Sequence, residues 1–256
     1  MLPANHNVVV ERVDDMTVIR DPTVPLQDIL DAIEAPGEIL KTSSRYETRR
    51  VKNWVVKTSG QTGLHAALKH TILRERGRKA WRAARHLQAH GVGCGAPLAM
   101  IEWKRAGFIR RRAIMTTYLD GCSNVETFMQ RMLAQRASHD KVRQFLENLS
   151  AAVGRLCACG AYHSDLSGKN ILTSDGSTFY FVDLDGVCLN RPYTRRRRLR
   201  NHVQLYDSFC DYLGEEYLGP FITRLAPENC PPESWLSRVR RGQAARRRRH
   251  LRRRRP

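Results

Sequence analysis

Two short polar clusters, separated by a segment typical of a β-hairpin, constrain the fold of this chain more than any other feature. They lie within Tyr162–Gly186, which reads YHSDLSGKNILTSDGSTFYFVDLDG. Asp165 and Asn170 belong to the first cluster, and Asp183 opens the second, 13 residues after Asn170. A hairpin with its turn at Asp175-Gly176 returns both of its ends to the same place, so the three side chains should meet.

These three side chains offer oxygen atoms of the kind that magnesium prefers. Mg²⁺ binds one or two carboxylates, keeps several waters and is completed by the phosphates of a substrate. Phosphoryl transfer needs the same set: one aspartate directed at the attacking hydroxyl, and an asparagine with a second aspartate for the metal. The clusters therefore predict a magnesium-dependent phosphoryl-transfer site at Asp165, Asn170 and Asp183.

The order of the predicted elements places this site in the second of two lobes. Hydrophobic periodicity and turn residues indicate strands first and helices later. The predicted elements are a helix at 25–36, two or three strands in 38–59, a helix at 64–89, strands at 97–103 and 108–119, helices from 123 and at 141–159, the hairpin, and helices to 240. This order predicts an α+β fold with a small sheet-rich N-lobe, a mainly helical C-lobe and a cleft at the connector Tyr118–Gly121.

The distribution of charged residues divides the chain into further segments. Residues 1–36 are comparatively acidic and are predicted to form an N-terminal extension, followed by the N-lobe at 37–118 and the C-lobe at 119–237. Residues 238–256 contain 11 arginines and no acidic residue, a composition that predicts a disordered tail. The formal net charge of +19 favours polyanionic partners, namely nucleic acid, anionic lipid headgroups or phosphorylated glycans.

Other features argue against several classes of protein. No run of 18 apolar residues predicts a membrane-spanning helix, and the N-terminus lacks the basic and apolar regions of a secretory signal. The seven cysteines are scattered and odd in number, with one C-x-C at Cys157 and Cys159. We therefore expect free thiols in a reducing cytosol.

The two clusters resemble a known signature. H-x-D-L-x-x-x-N followed by a strand-borne D-x-D/G is similar to the catalytic signature of the protein-kinase-like superfamily, and here the two parts are His163–Asn170 and Asp183–Gly186, with DLDG in place of D-F-G. Within that superfamily the chain resembles the lipopolysaccharide kinases of Gram-negative bacteria over Gly37–Leu189. The similar stretches are GEILKTSSR, RERGRKAWRAARHLQAHGV with GAPLAM, and GAYHSDLSGKNIL. The resemblance implies a two-lobed protein-kinase-like fold.

The resemblance also implies roles for single residues. Asp165 would accept or orient the proton of the substrate hydroxyl, and Asn170 and Asp183 would hold Mg²⁺. Lys57, in NWVVK, matches the strand lysine that contacts the α- and β-phosphates of ATP. Glu75, 18 residues later, is expected to pair with Lys57.

Several positions depart from the superfamily pattern. The stretch KTSSRYETRR contains no glycine-rich phosphate loop, so Ser43 and Ser44, or backbone amides of that turn, are expected to replace it. Ser167 stands where serine/threonine protein kinases have a lysine, which favours a small-molecule or glycan acceptor. Asp185 is either a further metal ligand or a turn cap. Lys169 either contacts the γ-phosphate or the substrate, or is a solvated loop lysine.

Together these features predict an ATP- and Mg²⁺-dependent kinase that phosphorylates a Kdo or heptose hydroxyl of the lipopolysaccharide inner core. The expected acceptor is the core oligosaccharide or a lipid-linked sugar. The expected place is cytoplasmic, at the inner face of the inner membrane, with basic patches on the anionic leaflet. Two alternatives stay open: a serine/threonine-type protein kinase, and a catalytically weak kinase-like protein whose arginine-rich tail binds polyanions, nucleic acid among them. The sequence does not indicate an oligomeric state.

Overall fold

The structure, a computed structural model, describes residues 8–44, 46–60, 75–105, 108–189 and 193–253, without the side chains of residues 75–77, 250 and 252–253. The chain divides into two compact units. The first comprises Met1–Ala89 with Gly95–Asp120, and the second comprises His90–Cys94 with Gly121–Pro256.

A seven-stranded antiparallel sheet forms the frame of the first unit. In chain order its strands are β1 (Val9–Val13), β2 (Met16–Arg20), β3 (Glu38–Thr42), β4 (Tyr46–Val51), β5 (Trp54–Gly60), β6 (Pro97–Arg105) and β7 (Phe108–Thr117). Across the sheet they follow the order β1-β2-β6-β7-β5-β4-β3. The strands predicted within 38–59 and after residue 96 are present, and three of them lie in the first of these regions.

One helix packs on each face of this sheet. Helix α1 (Leu26–Glu34) buries Ile29, Ala32 and Ile33 in a cluster with Val56, Ala99, Ile101 and Met115. Side chains alternate along a strand, so Glu102 of β6 points away from Ile101 to the other face. There it accepts hydrogen bonds from Arg78 of α2 (Glu75–Ala89). The described part of the helix predicted at 64–89 thus begins at Glu75, and residues 61–74 lie outside the described ranges.

A buried ion cluster joins α2 to the sheet. Glu102 is fully buried, and its carboxylate accepts from Arg112 Nη2 at 3.0 Å and from Arg78 Nη2 at 3.1 Å. Lys104 Nζ lies 4.0 Å from the same carboxylate. Burial acts to raise the pKa of Glu102, but the hydrogen bonds and charges of Arg78 and Arg112 outweigh it, so this pKa lies below its ordinary value.

The first 36 residues are part of this unit, and the sequence predicted them as an extension. Strand β2 pairs with β6 from Met16 opposite Trp103 to Arg20 opposite Ala99, and β1 pairs with β2. Val18 of β2 is completely buried in the cluster beneath α1. The described part of this segment, from residue 8, is therefore built into the sheet and into its core.

The second unit is mainly helical, which agrees with the predicted α+β class. Its helices are α3 (Val125–Ala134), α4 (His139–Ala158), α5 (Arg195–Phe209), α6 (Glu215–Arg224) and α7 (Pro232–Arg253). Two small sheets accompany them: β8 (Ser123–Asn124) with β10 (Ile171–Thr173) and β11 (Tyr180–Phe181), and β9 (Tyr162–His163) with β12 (Val187–Cys188). In the described ranges, no helix is long and apolar enough to cross a membrane.

Local signals explain where α3 and α4 begin and end. The Asn124 side chain accepts a hydrogen bond from Thr127 N at 2.9 Å, and Ser138 Oγ accepts one from Lys141 N at 3.4 Å, which caps the two helices. After α4, Gly160 has a φ of +74°, the left-handed conformation that ends a helix at little cost in glycine. Helix α4 thereby delivers the chain to β9 at a defined point.

The arginine-rich C-terminal segment differs from the sequence prediction, since it is helical as far as Arg253. The first turns of α7 bury Trp235 and Val239. Three arginines then form ion pairs with acidic residues of α5, α6 and the turn between them: Arg240 with Glu215, Arg246 with Asp207, and Arg247 with Asp207 and Asp211. Composition predicts disorder here because the neutralising carboxylates are distant in sequence.

A buried histidine and tryptophan link α5 to α7. Trp235 Nε1 donates to His202 Nδ1 at 2.9 Å, and both side chains are at most 1% exposed. Burial, with a smaller contribution from the charge of Arg198, lowers the pKa of His202 to about 3. The imidazole is therefore neutral, as its acceptor role requires.

This pair predicts that the protein loses stability as the pH falls from 7 to 5. In the unfolded chain His202 binds a proton below its ordinary pKa of about 6.5, whereas the folded protein leaves it neutral down to about pH 3. The free energy of unfolding should fall by roughly 2 kcal/mol between pH 6.5 and 5 from this residue alone. Urea denaturation at several pH values measures it. His202→Asn, which keeps an acceptor for Trp235, should give a shallower pH dependence, and an unchanged one would contradict the assignment.

Candidate active site

The candidate site is built on a loop and a hairpin of the second unit. Strands β10 and β11 pair with Ile171 opposite Phe181. Beyond this pair, Val182 N donates to Asn170 O at 3.0 Å. Asn170 therefore ends one arm of the hairpin and Asp183 directly follows the other, so the backbone brings both residues to the same end, as the sequence predicts.

The hairpin turn is longer than the two residues predicted. β10 ends at Thr173 and β11 begins at Tyr180. Between them the Asp175 carboxylate accepts hydrogen bonds from Ser177 N and Thr178 N, both at 2.8 Å, which hold the pKa of Asp175 well below its ordinary value. Asp175 thus organises the turn at the end of the hairpin opposite to the site.

Asp165 presents an exposed carboxylate that two amides orient. Asn170 Nδ2 donates to Asp165 Oδ2 at 3.1 Å and to the backbone carbonyl of Asp165 at 2.9 Å. Gln204 Nε2 donates to Asp165 Oδ1 at 3.3 Å. Each carboxylate oxygen thus accepts one amide hydrogen bond, and the residue as a whole is exposed to solvent.

His163 is buried and ties the loop to the hairpin. Its Nε2 donates to Val182 O at 2.9 Å, and its Nδ1 accepts from Asp165 N at 3.2 Å, a pattern that fits a neutral ring with the proton on Nε2. Burial lowers the pKa of His163 below its ordinary value, while the charges of Asp183 and Asp165 act to raise it. His163 therefore positions both aspartates and stays inside the fold.

Asp183 lies in the left-handed backbone conformation, with φ 57° and ψ 48°. Residues other than glycine adopt it rarely, although aspartate does so more readily than most. The next residues form a single helical turn, Leu184–Gly186, and Ser164 N donates to Gly186 O at 3.0 Å. A Cβ atom at Gly186 would lie 2.6 Å from Ser164 Oγ, so a glycine at this position lets the two polar clusters approach closely. The carboxylate of Asp183 is exposed.

The other two candidate site residues of this unit, Asp185 and Lys169, differ in solvent exposure. Asp185 is half-buried and lies within the Leu184–Gly186 turn, whereas Lys169 is exposed and lies within the turn that precedes Asn170. Their roles stay predictions.

Helix α5 supplies polar residues that the sequence analysis missed. Asn201, Gln204 and Ser208 recur at helical spacing on the face turned to the loop, and the first two are almost completely buried. Their hydrogen bonds to the loop are Asn201 Nδ2 to His163 O (2.6 Å), Gln204 Nε2 to Ser164 O (3.1 Å), Leu166 N to Gln204 Oε1 (3.0 Å) and Gly168 N to Ser208 Oγ (2.8 Å). The pattern N-x-x-Q-x-x-x-S, which places three uncharged polar residues on one side of a helix, was the signal that could have revealed them.

The remaining candidates belong to the first unit. Lys57 lies on β5 between Thr48 of β4 and Ile114 of β7. At the β3–β4 turn, Ser43 N donates to Tyr46 O at 2.9 Å and Tyr46 N donates to Ser43 Oγ at 3.2 Å. Ser44 is exposed in the same turn. Glu75 begins α2, but its side chain lies outside the described part of the chain, so its pairing with Lys57 stays a prediction.

The residues at the hairpin end fit a magnesium ion that is shared with phosphates. Among the described residues no group of three or more His, Cys, Asp or Glu side chains could hold a metal by itself. Magnesium in phosphoryl-transfer sites does not need such a group, because one or two protein oxygens and the substrate phosphates suffice. Asn170 directs its amide nitrogen at Asp165 and so keeps Oδ1 for a metal, and Asp183 adds an exposed carboxylate.

Comparison with known proteins gives one family and several related structures. The model of the lipopolysaccharide kinase (Kdo/WaaP) family matches residues 29–223, and no individual curated protein matches the chain. WaaP, solved in complex with acyl carrier protein, is similar with a TM-score of 0.63 and 18% identity over 85% of this chain and 92% of that chain.

Two further structures are similar. The bifunctional kinase-methyltransferase WbdD has a TM-score of 0.51 and 15% identity over 81% of this chain and 46% of its own. A rhoptry antigen kinase domain of Toxoplasma gondii has a TM-score of 0.46 and 15% identity over 92% of this chain and 78% of its own. The likeness to WaaP and WbdD confirms the predicted kinase-like fold, with its sheet-rich and helical parts.

Proposed function

Because the chain belongs to the lipopolysaccharide kinase (Kdo/WaaP) family, we propose that it is an ATP- and Mg²⁺-dependent enzyme that transfers the γ-phosphate to a sugar hydroxyl of the lipopolysaccharide inner core. Family membership makes the protein a kinase, that is, a phosphotransferase with an alcohol group as acceptor. The acceptor that we propose is Kdo or heptose, in the core oligosaccharide or on a lipid-linked sugar.

The observation that carries this proposal is the carboxylate of Asp165, which is exposed and is oriented by hydrogen bonds. The amides of Asn170 and Gln204 each donate a hydrogen bond to one of its oxygens and so fix the orientation of the carboxylate. The acceptor hydroxyl would pass its proton to this carboxylate as its oxygen bonds to the γ-phosphorus and the bond between that phosphorus and the departing ADP breaks. Asp165 would also orient the hydroxyl, and this would contribute to the rate together with proton transfer, because phosphoryl transfer depends mainly on positioning and charge neutralisation.

Other residues would hold the nucleotide. Asn170 and Asp183 would bind magnesium, which when bound neutralises charge on the phosphates. Asp185 is a candidate for a further ligand and Lys169 for a contact with the γ-phosphate or the acceptor. Lys57 would contact the phosphates from the first unit, where the Ser43–Ser44 turn is a further candidate.

Phosphate transfer to a glycan tests this function. The protein is incubated with γ-labelled ATP, Mg²⁺ and purified inner-core oligosaccharide, with a generic protein acceptor in a parallel reaction. We expect label on the glycan that disappears when EDTA is added. Label on serine or threonine of a protein, and none on the glycan, would favour the protein-kinase alternative.

We further propose that the protein acts at the anionic inner face of the inner membrane through α7. Arg238, Arg241 and Arg248 are exposed and lie on one side of this helix, away from the arginines that pair with Asp207, Asp211 and Glu215. In the described ranges these three side chains form no ion pair. This row of three arginines contains no aromatic residue for base stacking, so it suits an anionic lipid surface better than single-stranded nucleic acid. WaaP was solved with acyl carrier protein, so a protein partner is a further candidate for basic surfaces.

Neutralising this row should weaken binding to anionic vesicles. Each arginine near such a surface contributes about 1 kcal/mol, so R238Q/R241Q/R248Q should reduce partitioning roughly 100-fold at low salt. A matched variant, K141Q/R143Q/R155Q, removes the same charge from exposed positions of α4 and should bind nearly as wild type. Sedimentation with phosphatidylglycerol vesicles measures both. Equal loss in the two variants would indicate a general effect of net charge.

A further inference from the structure

One cation of the first unit, Lys41, lies close to the candidate phosphate-binding lysine. Lys41 on β3 is opposite Thr48 on β4, and Thr48 is opposite Lys57 on β5. Residues opposite each other on neighbouring strands point to the same face of the sheet. Lys41, Thr48 and Lys57 therefore form a row on one face, about 10 Å long because neighbouring strands lie about 4.8 Å apart.

A β-bulge produces this alignment. The register between β3 and β4 shifts between Ile39, which is opposite Arg49, and Lys41, which is opposite Thr48. In a regular ladder Leu40 would be opposite Thr48 and Lys41 opposite Glu47, and Lys41 would share the face of Ile39 and Arg49. The bulge moves Lys41 to the face of Lys57, which is how bulges redirect side chains beside active sites.

Both ammonium groups also lie against one aromatic ring. Lys57 Nζ is 4.7 Å and Lys41 Nζ is 5.7 Å from the centroid of the Tyr46 ring. The negative face of an aromatic ring attracts cations, so Tyr46 draws both ammonium groups towards the same part of the sheet. Tyr46 in turn is hydrogen-bonded to Ser43 at the β3–β4 turn.

The charge of Lys41 is available to an anion. The side chain is exposed, and in the part of the chain that the structure describes it forms no ion pair. A ligand with several negative charges could contact the ammonium group of Lys41 as well as that of Lys57 on this face of the sheet. A chain of phosphate groups is such a ligand.

We propose that Lys41 is a second phosphate-binding residue, which acts with Lys57 in place of the absent glycine-rich loop. This inference rests on the proposed function, in which Lys57 contacts the phosphates of ATP. A glycine-rich loop binds phosphates through backbone N–H groups, whereas this sheet offers a side-chain cation on β3, two residues before the β3–β4 turn. The strength of nucleotide binding should therefore depend on the positive charge at position 41.

Calorimetric titration with ATP, ADP and AMP in the presence of Mg²⁺ tests this inference on the full chain. Lys41→Met should weaken ATP binding roughly 10- to 100-fold, the usual worth of one hydrogen bond to a charged group. The loss should shrink from ATP to ADP and nearly vanish for AMP, because fewer phosphates remain to be bound. Lys41→Arg should retain most of the affinity, and Lys141→Met, which removes one exposed lysine from α4, should bind as wild type.

Three possible results distinguish a failure of this inference from a failure of the proposed function. If Lys41→Met binds ATP as tightly as wild type while Lys57→Met does not, this inference is overturned and the proposed function stands. If Lys41→Met weakens ATP and AMP equally, the residue acts on the fold of the sheet, and the inference is also overturned. If wild type binds no ATP at all, the proposed function is overturned and this inference with it.

Discussion

Replacement of Asp165 by asparagine is expected to lower turnover by about 10² to 10⁴, the usual contribution of a general base. The carboxylate is exposed and oriented by Asn170 and Gln204, so the substitution removes basicity from a group that is already in place. ATP binding should change little, because the nucleotide would be held by other residues. The rate of label transfer to inner-core oligosaccharide at saturating ATP measures the effect, and titration with ATP measures binding.

The effect should be specific to this aspartate. Asp140, an exposed aspartate in the first turn of α4, provides a matched control, and Asp140→Asn should keep wild-type turnover. The amide that Asp165→Asn introduces would face the amides of Asn170 and Gln204, so the melting temperature of this variant must also be compared with that of wild type. If the folded variant turned over at the wild-type rate, a catalytic role of Asp165 would be excluded.

Replacement of Glu102 by leucine is expected to destabilise the first unit by about 3–5 kcal/mol. The substitution leaves the guanidinium of Arg112, which is only 4% exposed, buried without its partner, and such breaks of buried ion pairs have costs of this size. Urea denaturation followed by tryptophan fluorescence reports on this unit, because Trp54, Trp81 and Trp103 lie within it.

The double variant Glu102→Leu with Arg112→Met distinguishes the cost of an unpaired buried charge from the cost of lost packing. Replacing both partners by apolar side chains removes the unpaired charge, so most of the lost stability should return. Arg78 and Lys104 are each about one third exposed and can turn to solvent in that variant. A single variant within about 1 kcal/mol of wild type would mean that the cluster contributes little to holding α2.

The parts of the site that follow from local chain geometry could be predicted from the sequence. A hairpin must return Asp183 to Asn170, and this held although the turn at Asp175 is longer than two residues. The contacts of Gln204 were not predictable in this way, because a polar residue on a helix does not reveal which distant loop it meets. The same holds for the bulge at Leu40, since strand register depends on the neighbouring strand.

The differences between sequence prediction and structure near the two ends of the chain have one physical cause. Composition describes a segment in isolation, whereas residues 8–36 and 238–253 pack against distant parts of the fold. Val18 enters a core formed mainly by residues far along the sequence, and Arg246 and Arg247 pair with Asp207 some 40 residues before them. Tertiary contacts of this kind override local preference, and helices in proteins depend on them more than on propensity.

The pairing of β2 with β6 has a consequence for shortened forms of this protein. A chain that began at residue 37 would keep every residue of the kinase signature, yet β6 would become an unprotected edge strand with a row of unsatisfied backbone groups. With α1 removed as well, Ala99, Ile101 and Met115 would face water. Such a chain would associate with its own copies by intermolecular strand addition, so aggregation, rather than missing catalytic groups, would be its first defect.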